Sequence, residues 1–406
     1  MLQKRQVIVV GAGPVGFLTA LGLARQGVQV TVLDAEEEVV RSPRAAVYYH
    51  TTLSVLKKLG MLHDAEAIGF QSTAFNMRWP DTGEVMRADM RDALEAGQEI
   101  DHNLHFGQHL LADLAMDHLA RIPGTEVLWN HTVKALAQSA GKARLAVDTD
   151  EGEVWFEADW IIGADGARST VRKLLGLEFE GFTWPERFVA TNIDYPFEDL
   201  GFATANMVVD PVDWAVIARL GRENLWRVTF GEDAALPEAS LRDRLAERYA
   251  RILPDASVPY RVDTFSAYRV HQRCAPTFRV NHVLLAGDAA HACNPCGGLG
   301  LTGGVLDADA LSDVLGAVIA GRAGTDVLDF YSAERRRVFQ EVTSPMSTNF
   351  KRLLSESDPA RRAQDKAAMF AKGSKGAEDV RASSLAELIK GKAMPIGTGP
   401  VGTGPV

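Results

Sequence analysis

The residues most suited to chemistry lie at positions 287–304, where the chain reads GDAAHACNPCGGLGLTGG. This segment follows an apolar strand predicted at His282–Ala286 and leads into a helix predicted at about Leu301 to Ile319. The bare amides of a glycine-rich loop and the positive end of a helix dipole both favour a ligand that carries negative charge. The pyrimidine end of a flavin gains negative charge on reduction. The segment is therefore typical of a flavin site, with Asp288 at the end of the strand.

A second glycine-rich segment, Gly11–Gly16, has the GxGxxG pattern of dinucleotide-binding turns. It lies between an apolar strand at Val7–Val10 and a helix predicted at Phe17–Gln26, and Asp34 ends the following strand. The first glycine permits a tight turn, the second lets a pyrophosphate approach, and the third lets helix and strand pack closely. Asp34 is then placed to bind the ribose hydroxyls of an adenosine.

Only one such pattern occurs in the chain, whereas a disulfide reductase of similar length would carry a second one for its nicotinamide nucleotide. We therefore predict that the tightly bound dinucleotide is FAD and that NAD(P)H binds only transiently. No His or Cys stands in a recognisable flavin-linking motif, so the FAD is expected to be bound non-covalently.

The elements around these segments change in character along the chain. The first part alternates strands and helices, including an amphipathic helix predicted at Gly107–Arg121 and two antiparallel strands within 143–162. From about 186 to 273 the chain is rich in β-branched and aromatic residues, with one helix at about Ser240–Ile252, which is typical of an antiparallel sheet. Residues 326–354 are predicted to be helical again.

These patterns predict an α/β protein with a Rossmann-like FAD-binding domain, an inserted, mainly antiparallel β-sheet domain that binds substrate, and C-terminal helices. The predicted FAD-binding domain comprises residues 1–70, 107–178 and 275–355, and the sheet domain comprises 71–106 and 179–274. Residues 356–394 are predicted to form a C-terminal helical segment. Residues 395–406, which include the repeat GTGPV, are predicted to be a flexible tail.

Three segments together resemble the motifs of the single-component FAD-dependent aromatic monooxygenases, the para-hydroxybenzoate hydroxylase family. They are Gly11–Gly16, Gly163–Arg172 and the 287–304 loop, and their order and spacing match the family over roughly residues 5–350. The resemblance implies the para-hydroxybenzoate hydroxylase fold. It also implies hydroxylation of a small phenolic or hydroxypyridine ring with NAD(P)H and O2, through a flavin C(4a)-hydroperoxide. Segments 42–45 and 293–300 look similar to those of para-nitrophenol 4-monooxygenase and hydroxypyridine hydroxylases, some of which displace the group para to the hydroxyl.

The resemblance further implies roles for single residues. Asp288 looks like the residue that bonds the flavin ribityl chain. Asp165 and Arg168 match the segment near the FAD pyrophosphate and the path of NAD(P)H, and Arg44 and Gln108 match positions that touch FAD.

The backbone of the third segment is also implied to contact the flavin, since Gly298, Leu299 and Gly300 would meet its pyrimidine ring. Asp34 departs from the family pattern, in which Glu is more common, but a shorter acid still reaches a ribose. The complete set of predicted cofactor-binding residues is Gly11, Gly13, Pro14, Val15, Gly16, Asp34, Arg44, Gln108, Asp165, Arg168, Gly287, Asp288, Pro295, Gly298, Leu299, Gly300 and Leu301.

Tyr48, His50 and Arg219 are the candidates for catalysis. Tyr48 and His50 follow the Arg44 segment, which would run beside the flavin, and they could assist deprotonation of a phenol. A packed aromatic turn accounts for these two residues equally well. Arg219 belongs to the sheet domain, whose task would be to position the phenol, as do Asn206, Trp226 and Thr229.

Cys293 and Cys296 suggest a redox or zinc site, but small residues of a flavin loop are the better interpretation. Zinc needs four ligands, and only His291 and Cys274 are candidates nearby. No metal site is predicted. His291 is interpreted as part of the scaffold of the loop rather than as a catalytic base.

The composition narrows the class of protein. The 406 residues carry a net charge of −10, which argues against nucleic acid or an anionic membrane surface as a partner. Three cysteines fit a reducing compartment, and no apolar run reaches the length of a membrane span. We expect a cytoplasmic monomer or homodimer. The cluster Glu334–Arg337 is interpreted as a solvated helix face or as pairing within the helix, rather than as a nucleic-acid site. The alternatives to a monooxygenase are a reductase or dehydrogenase on the same fold and a non-catalytic flavoprotein.

Overall fold

The computed structural model describes residues 2–93, 98–139, 141–221, 224–373 and 385–396. Its strands, in chain order, are β1 (Leu2–Val10), β2 (Val30–Leu33), β3 (Val47–Tyr48), β4 (Phe70–Ser72), β5 (Ala74–Trp79), β6 (Glu84–Asp89), β7 (Asn103–His105), β8 (Thr125–Leu128), β9 (Thr132–Ser139), β10 (Lys142–Thr149), β11 (Gly152–Gly163), β12 (Glu180–Asp194), β13 (Ala205–Val208), β14 (Ala215–Arg219), β15 (Leu225–Asp233), β16 (Arg261–Cys274), β17 (Arg279–Val280), β18 (Val283–Leu285) and β19 (His291–Ala292). Its α-helices are α1 (Pro14–Ala24), α2 (His50–Lys58), α3 (Leu62–Ile68), α4 (Gln108–Leu119), α5 (Thr170–Leu174), α6 (Leu241–Ile252), α7 (Leu299–Ile319), α8 (Asp326–Val338), α9 (Ser344–Ser355), α10 (Pro359–Gly373) and α11 (Leu385–Lys390).

The first sheet has the strand order β17-β18-β11-β1-β2-β8, with β10 and β9 attached to β11 off this path. From β18 to β8 the neighbouring strands of this order are parallel. In β1, Val7–Val10 pairs on one side with Trp160–Gly163 and on the other with Val30–Leu33. Val7, Ile8 and Val9 are fully buried, which confirms the prediction of a buried parallel strand from this apolar run.

This strand order explains why the three motif segments lie together. Gly11–Gly16 follows β1, Gly163–Arg172 follows β11, and the 287–304 loop follows β18, so the segments leave three adjacent parallel strands. Because parallel strands point their carboxyl ends at the same edge, the three segments meet there.

The second sheet has the order β19-β16-β12-β15-β14-β13-β5-β6. Its pairs are antiparallel except for β13 with β5. Helix α6 packs on one face, and Trp226, Phe230 and Tyr249 form part of the core between them. The predicted antiparallel sheet with a single helix within 186–273 is confirmed.

The prediction that residues 71–106 join this sheet is correct only for β5 and β6. Strand β7 instead pairs with β3 and β4 in a separate three-stranded sheet. Phe106 directly follows β7, and its ring stacks on that of Tyr48 in β3 with the ring centroids 4.2 Å apart, so this contact holds β7 against β3. A strand of three residues carries no periodicity from which this pairing could be predicted. The domain boundaries remain predictions.

The helices after β19 follow the predicted pattern with two differences. Helix α7 begins at Leu299 rather than Leu301, because Gly298 adopts a φ of 68° and starts the helix from the left-handed region. Glu334 and Arg335 on α8 are 4% and 2% exposed, so these two residues do not lie on a solvated face. The alternative prediction of pairing within the helix is confirmed for Glu334, which pairs with Arg337. Both charges are neutralised by partners, Arg337 for Glu334 and Asp307 for Arg335.

The predicted C-terminal helical segment contains α10 and α11. Most of the predicted tail, residues 397–406, lies outside the described residues. Among the helices of the described ranges, none combines the length and the apolar character that a membrane span requires.

Replacing Gly16 by Ala is expected to destabilise the protein by about 1–3 kcal/mol, because a Cβ there would overlap the carbonyl oxygen of Gly11. Gly13→Ala is the matched control, since a Cβ at Gly13 would meet no atom within 4 Å. Urea unfolding of the flavin-free proteins measures the two free energies of unfolding. Equal stability of the two variants would contradict the close approach of helix α1 to the turn.

Candidate functional site

The three motif segments contact one another at the edge of the first sheet. A Cβ at Gly11 would lie 2.8 Å from the backbone nitrogen of Asp165, so the first turn is packed against the second segment. A Cβ at Gly287 would lie 3.0 Å from Cγ2 of Val15, so the third segment is packed against the first turn of α1. The absence of side chains at these two glycines is what lets the segments come together.

The first segment presents the N-terminus of α1 and the carboxylate of Asp34. Helix α1 starts at Pro14, with no acidic residue in its first turn and no side-chain cap at Gly13. Asp34 accepts hydrogen bonds from the backbone nitrogens of Ala12 at 2.5 Å and Glu36 at 2.9 Å. Since a carboxylate offers about four lone-pair positions, Asp34 can still accept from ribose hydroxyls.

The second segment is braced by its own side chains. Asp165 accepts from the hydroxyl of Ser169 at 2.5 Å and from the backbone nitrogens of Thr170 and Val171 at 2.7 and 3.1 Å. Burial raises the pKa of this carboxyl, and these hydrogen bonds oppose the rise. The Asp165 side chain is therefore engaged within its loop, whereas Arg168 is exposed.

Arg172, in the same segment, was not among the predicted site residues. Its guanidinium is buried and donates to the carbonyl oxygens of Ala289 at 2.8 Å and Ala167 at 2.9 Å. Arg172 thus joins the second segment to the residue next to Asp288. A single arginine at the end of a small-residue motif is the sequence signal that points to such a role.

The third segment presents the N-terminus of α7. Gly298 caps the helix without a side-chain hydrogen bond, its nitrogen donates to the carbonyl oxygen of Pro295 at 3.0 Å, and the first turn holds no acidic residue. The first amides of a helix have no acceptor within the helix, so Leu299, Gly300 and Leu301 offer donors at the positive end of the dipole.

Asp288 lies beside the start of this helix, and we call the accessible space at its carboxylate the cleft. Its side chain is accessible to solvent, yet the surrounding protein is close enough that desolvation raises the pKa of its carboxyl. The positive charges of His291 and Arg44 oppose that rise. A carboxylate that is accessible to solvent but closely surrounded by protein atoms is suited to bind a ligand with hydroxyl groups.

The Arg44 segment, residues 42–45, contacts helix α4 on one side and the second sheet on the other. Oε1 of Gln108 accepts from the backbone nitrogen of Ala45 at 3.3 Å, and the Arg44 guanidinium lies 4.9 Å from the ring centroid of Tyr268. The carbonyl oxygen of Arg44 accepts a hydrogen bond from Arg227 on β15. The segment is thereby attached to the start of helix α4 and to the second sheet.

Arg227 is a second residue that the sequence analysis missed. It is 6% exposed and its Nε donates to Oδ1 of Asn192 at 2.7 Å. Burial lowers its pKa to about 10, so it stays cationic at neutral pH. A charged residue inside the apolar run Leu225–Phe230 is the signal that could have identified it. The preceding residue, Trp226, points instead into the core under α6.

Two of the three catalytic candidates, Tyr48 and His50, flank Tyr49 in the chain, and Tyr49 contacts the third motif segment. Tyr48 is 1% exposed, and among the described residues its hydroxyl has no hydrogen-bond partner. Burial raises the pKa of Tyr48 well above its usual value, which makes it a neutral donor rather than a base. His50 is buried at the start of α2. Between them, Tyr49 donates to the carbonyl oxygen of Gly297 at 2.6 Å.

Arg219, the third candidate, contacts residues outside the motif segments. Its guanidinium pairs with Glu198 at 2.7 Å, donates to the carbonyl oxygen of Gly221 at 2.8 Å and lies over the ring of Phe70. The catalytic role of Arg219 stays a prediction, and the buried cation beside Tyr48 is Arg227.

In the third segment the thiol of Cys296 is buried and that of Cys293 is half-buried. Desolvation raises the pKa of Cys293 to about 12 and raises that of Cys296 further. Both are therefore protonated at neutral pH and poor nucleophiles. Within the described part of the chain, no group of three or more His, Cys, Asp or Glu residues is arranged to hold a metal ion.

Comparison with known proteins gives the same assignment for most of the chain. Residues 4–345 match the family described as "FAD binding domain". The chain is 46% identical over 363 residues to para-nitrophenol 4-monooxygenase of a Pseudomonas species, covering 89% of this chain and 90% of that protein. It is 43% identical over 360 residues to 6-hydroxy-3-succinoylpyridine 3-monooxygenase of Pseudomonas putida, covering 88% of this chain and 91% of that protein.

A solved structure extends this similarity to the fold. The crystal structure of p-nitrophenol 4-monooxygenase from Pseudomonas putida superimposes with a TM-score of 0.92 at 44% identity, covering 96% of this chain and 100% of that chain. The chain therefore belongs to the FAD-dependent aromatic monooxygenases of the para-hydroxybenzoate hydroxylase fold.

Proposed function

We propose that this enzyme hydroxylates a small phenolic or hydroxypyridine ring with NAD(P)H and O2, with or without displacement of the group para to the hydroxyl. The observation that carries the proposal is the accessible carboxylate of Asp288, which lies where the third motif segment packs against the first and which is close enough to Arg44 to feel its charge. The names of the relatives, which act on para-nitrophenol and on a hydroxypyridine, favour this reaction over a reductase or a non-catalytic flavoprotein.

FAD fits the residues of this cleft. The turn at Gly11–Gly16 and the start of α1 would take the pyrophosphate, and Asp34 would take the adenosine ribose. Asp288 would accept from the ribityl hydroxyls, and the amides of Gly298–Leu301 would meet the pyrimidine ring. When bound, FAD supplies the reduction and oxygen-transfer chemistry, and the protein supplies binding, orientation and electrostatics.

The chain's own contribution to the reaction is proposed to be charge stabilisation. The start of α7 favours negative charge on the ring it faces. The positive charge of Arg227 lowers the pKa of both Tyr48 and Tyr268, although burial raises both pKa values by more. The same charge would favour the phenolate form of a bound phenol. Tyr48 would donate a hydrogen bond to that phenolate, and His50 is the candidate for proton transfer.

NAD(P)H is proposed to approach across the exposed side chain of Arg168. Burial lowers the pKa of the nearby His271, and the charges of Arg273, Arg269, Arg168 and Arg172 lower it further. Arg168 and Arg269 are exposed and Arg273 is half-buried, so these three make a positive surface suited to the phosphates of a dinucleotide that binds only transiently. A reducing, NAD(P)H-containing compartment, the cytoplasm, is proposed as the location, and the three free thiols are compatible with it.

The proposal also keeps the predicted domain division. Residues 1–70, 107–178 and 275–355 would bind FAD, and residues 71–106 and 179–274 would cover the ring and the substrate. A cover of this kind excludes water, which otherwise diverts the activated oxygen to peroxide.

Asp288→Ala is expected to weaken FAD binding about ten- to hundredfold, because a charge-assisted hydrogen bond worth roughly 1.5–3 kcal/mol is lost. Asp313→Ala is the matched control, since Asp313 pairs with Lys58 on the outer side of α7. Fluorescence titration of the flavin-free proteins with FAD gives both dissociation constants. Wild-type affinity in Asp288→Ala would refute the assigned contact.

Arg168→Gln is expected to raise KM for NAD(P)H about two- to fivefold with little change in kcat, as for loss of an exposed charge pair worth up to ~1 kcal/mol. The difference from wild type should shrink as salt is added, because salt screens exposed charges. Arg261→Gln is the control, since Arg261 is exposed at the opposite end of β16 from Arg273. Equal KM values in the two variants would exclude Arg168 from the path of the coenzyme.

The reaction itself is tested with labelled oxygen gas and a panel of phenols and hydroxypyridines. A true substrate is expected to accelerate NAD(P)H oxidation and to gain one oxygen atom from O2, because oxygen transfer needs both reductant and ring. Product mass and NAD(P)H loss are followed together. A product oxygen derived from water, or turnover that proceeds unchanged without oxygen, would contradict hydroxylation.

A further inference from the structure

Asp307 is a buried carboxylate that supports the flavin loop from behind. It lies within α7 and is fully buried. Its Oδ2 accepts from the backbone nitrogen of Gly287 at 3.0 Å and from Nε2 of His291 at 2.6 Å. The positive charges of His291 and Arg335 hold its pKa below the usual range in spite of burial. Asp307 therefore fixes both ends of the short loop that contains Asp288.

Arg335 connects this carboxylate to a part of the chain far from the cleft. The guanidinium is 2% exposed, and its Nε donates to Oδ1 of Asp307 at 2.6 Å. Its Nη2 donates to the carbonyl oxygen of Gly303 at 3.2 Å. Its Nη1 donates to the carbonyl oxygens of Ile389 and Lys390 at 2.9 and 3.1 Å. The last two acceptors belong to the C-terminal segment, by which we mean residues 385–396.

The C-terminal segment is fitted to α8 at specific points. Ile389 is fully buried, and the backbone nitrogen of Lys392 donates to Oε1 of Glu334 at 2.7 Å. Gly391 has a φ of 73°, and a Cβ there would lie 2.7 Å from Cγ2 of Val338 and 2.9 Å from Oε1 of Glu334. This segment lies beyond residue 345, where the family match ends.

The energetics of buried ion pairs make the two carbonyl oxygens important. A buried arginine–carboxylate pair is stable only when the remaining donors of the guanidinium also have acceptors. Without the C-terminal segment, Nη1 of Arg335 would lose both of its acceptors. Water would then compete for Arg335, and Asp307 would hold Gly287 and His291 less firmly.

We propose that the C-terminal segment is a positioning element for the flavin. By supplying the carbonyl oxygens of Ile389 and Lys390 to Arg335, it keeps Asp307 in place, and Asp307 keeps the Gly287–His291 loop in the conformation that presents Asp288. Arg335 and Asp307 act through the loop and are positioning residues. The inference rests on the proposed contact between Asp288 and the flavin.

Two truncations of the full chain test the proposal. Deletion of residues 385–406 is expected to weaken FAD binding about tenfold or more, because buried donors lose their acceptors. Deletion of residues 397–406 alone is the control and should leave the FAD dissociation constant unchanged. The rise in melting temperature on adding FAD is measured as well, since it reports binding to the folded state.

A point variant decides the question if the longer truncation does not fold. Gly391→Ala disturbs the fit of the segment to Val338 and Glu334, whereas Gly321→Ala imposes the same backbone cost at a φ of 68° with nothing within 4 Å of its Cβ. We expect weaker FAD binding in Gly391→Ala only. Equal losses of stability with and without FAD, at an unchanged dissociation constant, would reduce the segment to ordinary packing and overturn the proposal.

The variants also separate this inference from the proposed flavin contact. Loss of FAD in Asp288→Ala, together with full FAD binding in Gly391→Ala and in the 385–406 deletion, would overturn the positioning role alone. Full FAD binding in Asp288→Ala would overturn the contact, and the positioning role with it.

Discussion

Parallel pairing of β18, β11 and β1 is the constraint from which the site follows. Three segments that begin near residues 11, 163 and 287 leave neighbouring strands at the same edge, so none of them needs a long connection to reach the others. Their approach also limits side-chain size, because Gly11 lies against Asp165 and Gly287 against Val15. The glycines are thus required by the contacts between segments as much as by any ligand.

Buried arginines connect the parts that the strands alone do not hold. Arg172 joins the second segment to Ala289, Arg227 joins β15 to the Arg44 segment, and Arg335 joins α7 to the C-terminal segment. Each donates to at least one backbone carbonyl oxygen and so fixes the backbone of the segment that it joins. Such groups cost desolvation energy, so their benefit lies in holding one geometry more than in added stability.

The sequence was sufficient for the parts of the site that depend on local patterns. The apolar run Val7–Val10, the GxGxxG turn and the strand–loop–helix at 283–319 each carry their own signal within one continuous stretch of the chain. The pairing of β3 with β7 and the burial of Arg335 depend on partners more than 50 residues away. No periodicity records such partners, so the charges of Glu334–Arg337 predict a solvated face or pairing within the helix, and not the burial of Arg335.

The same limit applies inside the site. Tyr48 and His50 were identified because they follow the Arg44 segment in sequence, whereas Arg227 reaches that segment from a strand of the other sheet. Arg219 and Arg227 lie on adjacent strands of that sheet, and only the fold distinguishes the one that pairs with Glu198 from the one that is buried beside Tyr48.

The third segment connects the two large sheets. Strand β18, which precedes it, lies in the first sheet, while β19, which begins at His291, pairs with β16 in the second. Only residues 286–290 separate the two strands. A rotation of one sheet against the other would have to be absorbed by the backbone torsions of these few residues, among them Asp288. Asp288 therefore lies in the short connection between the two sheets, and any rotation of one sheet against the other would change the position of its carboxylate.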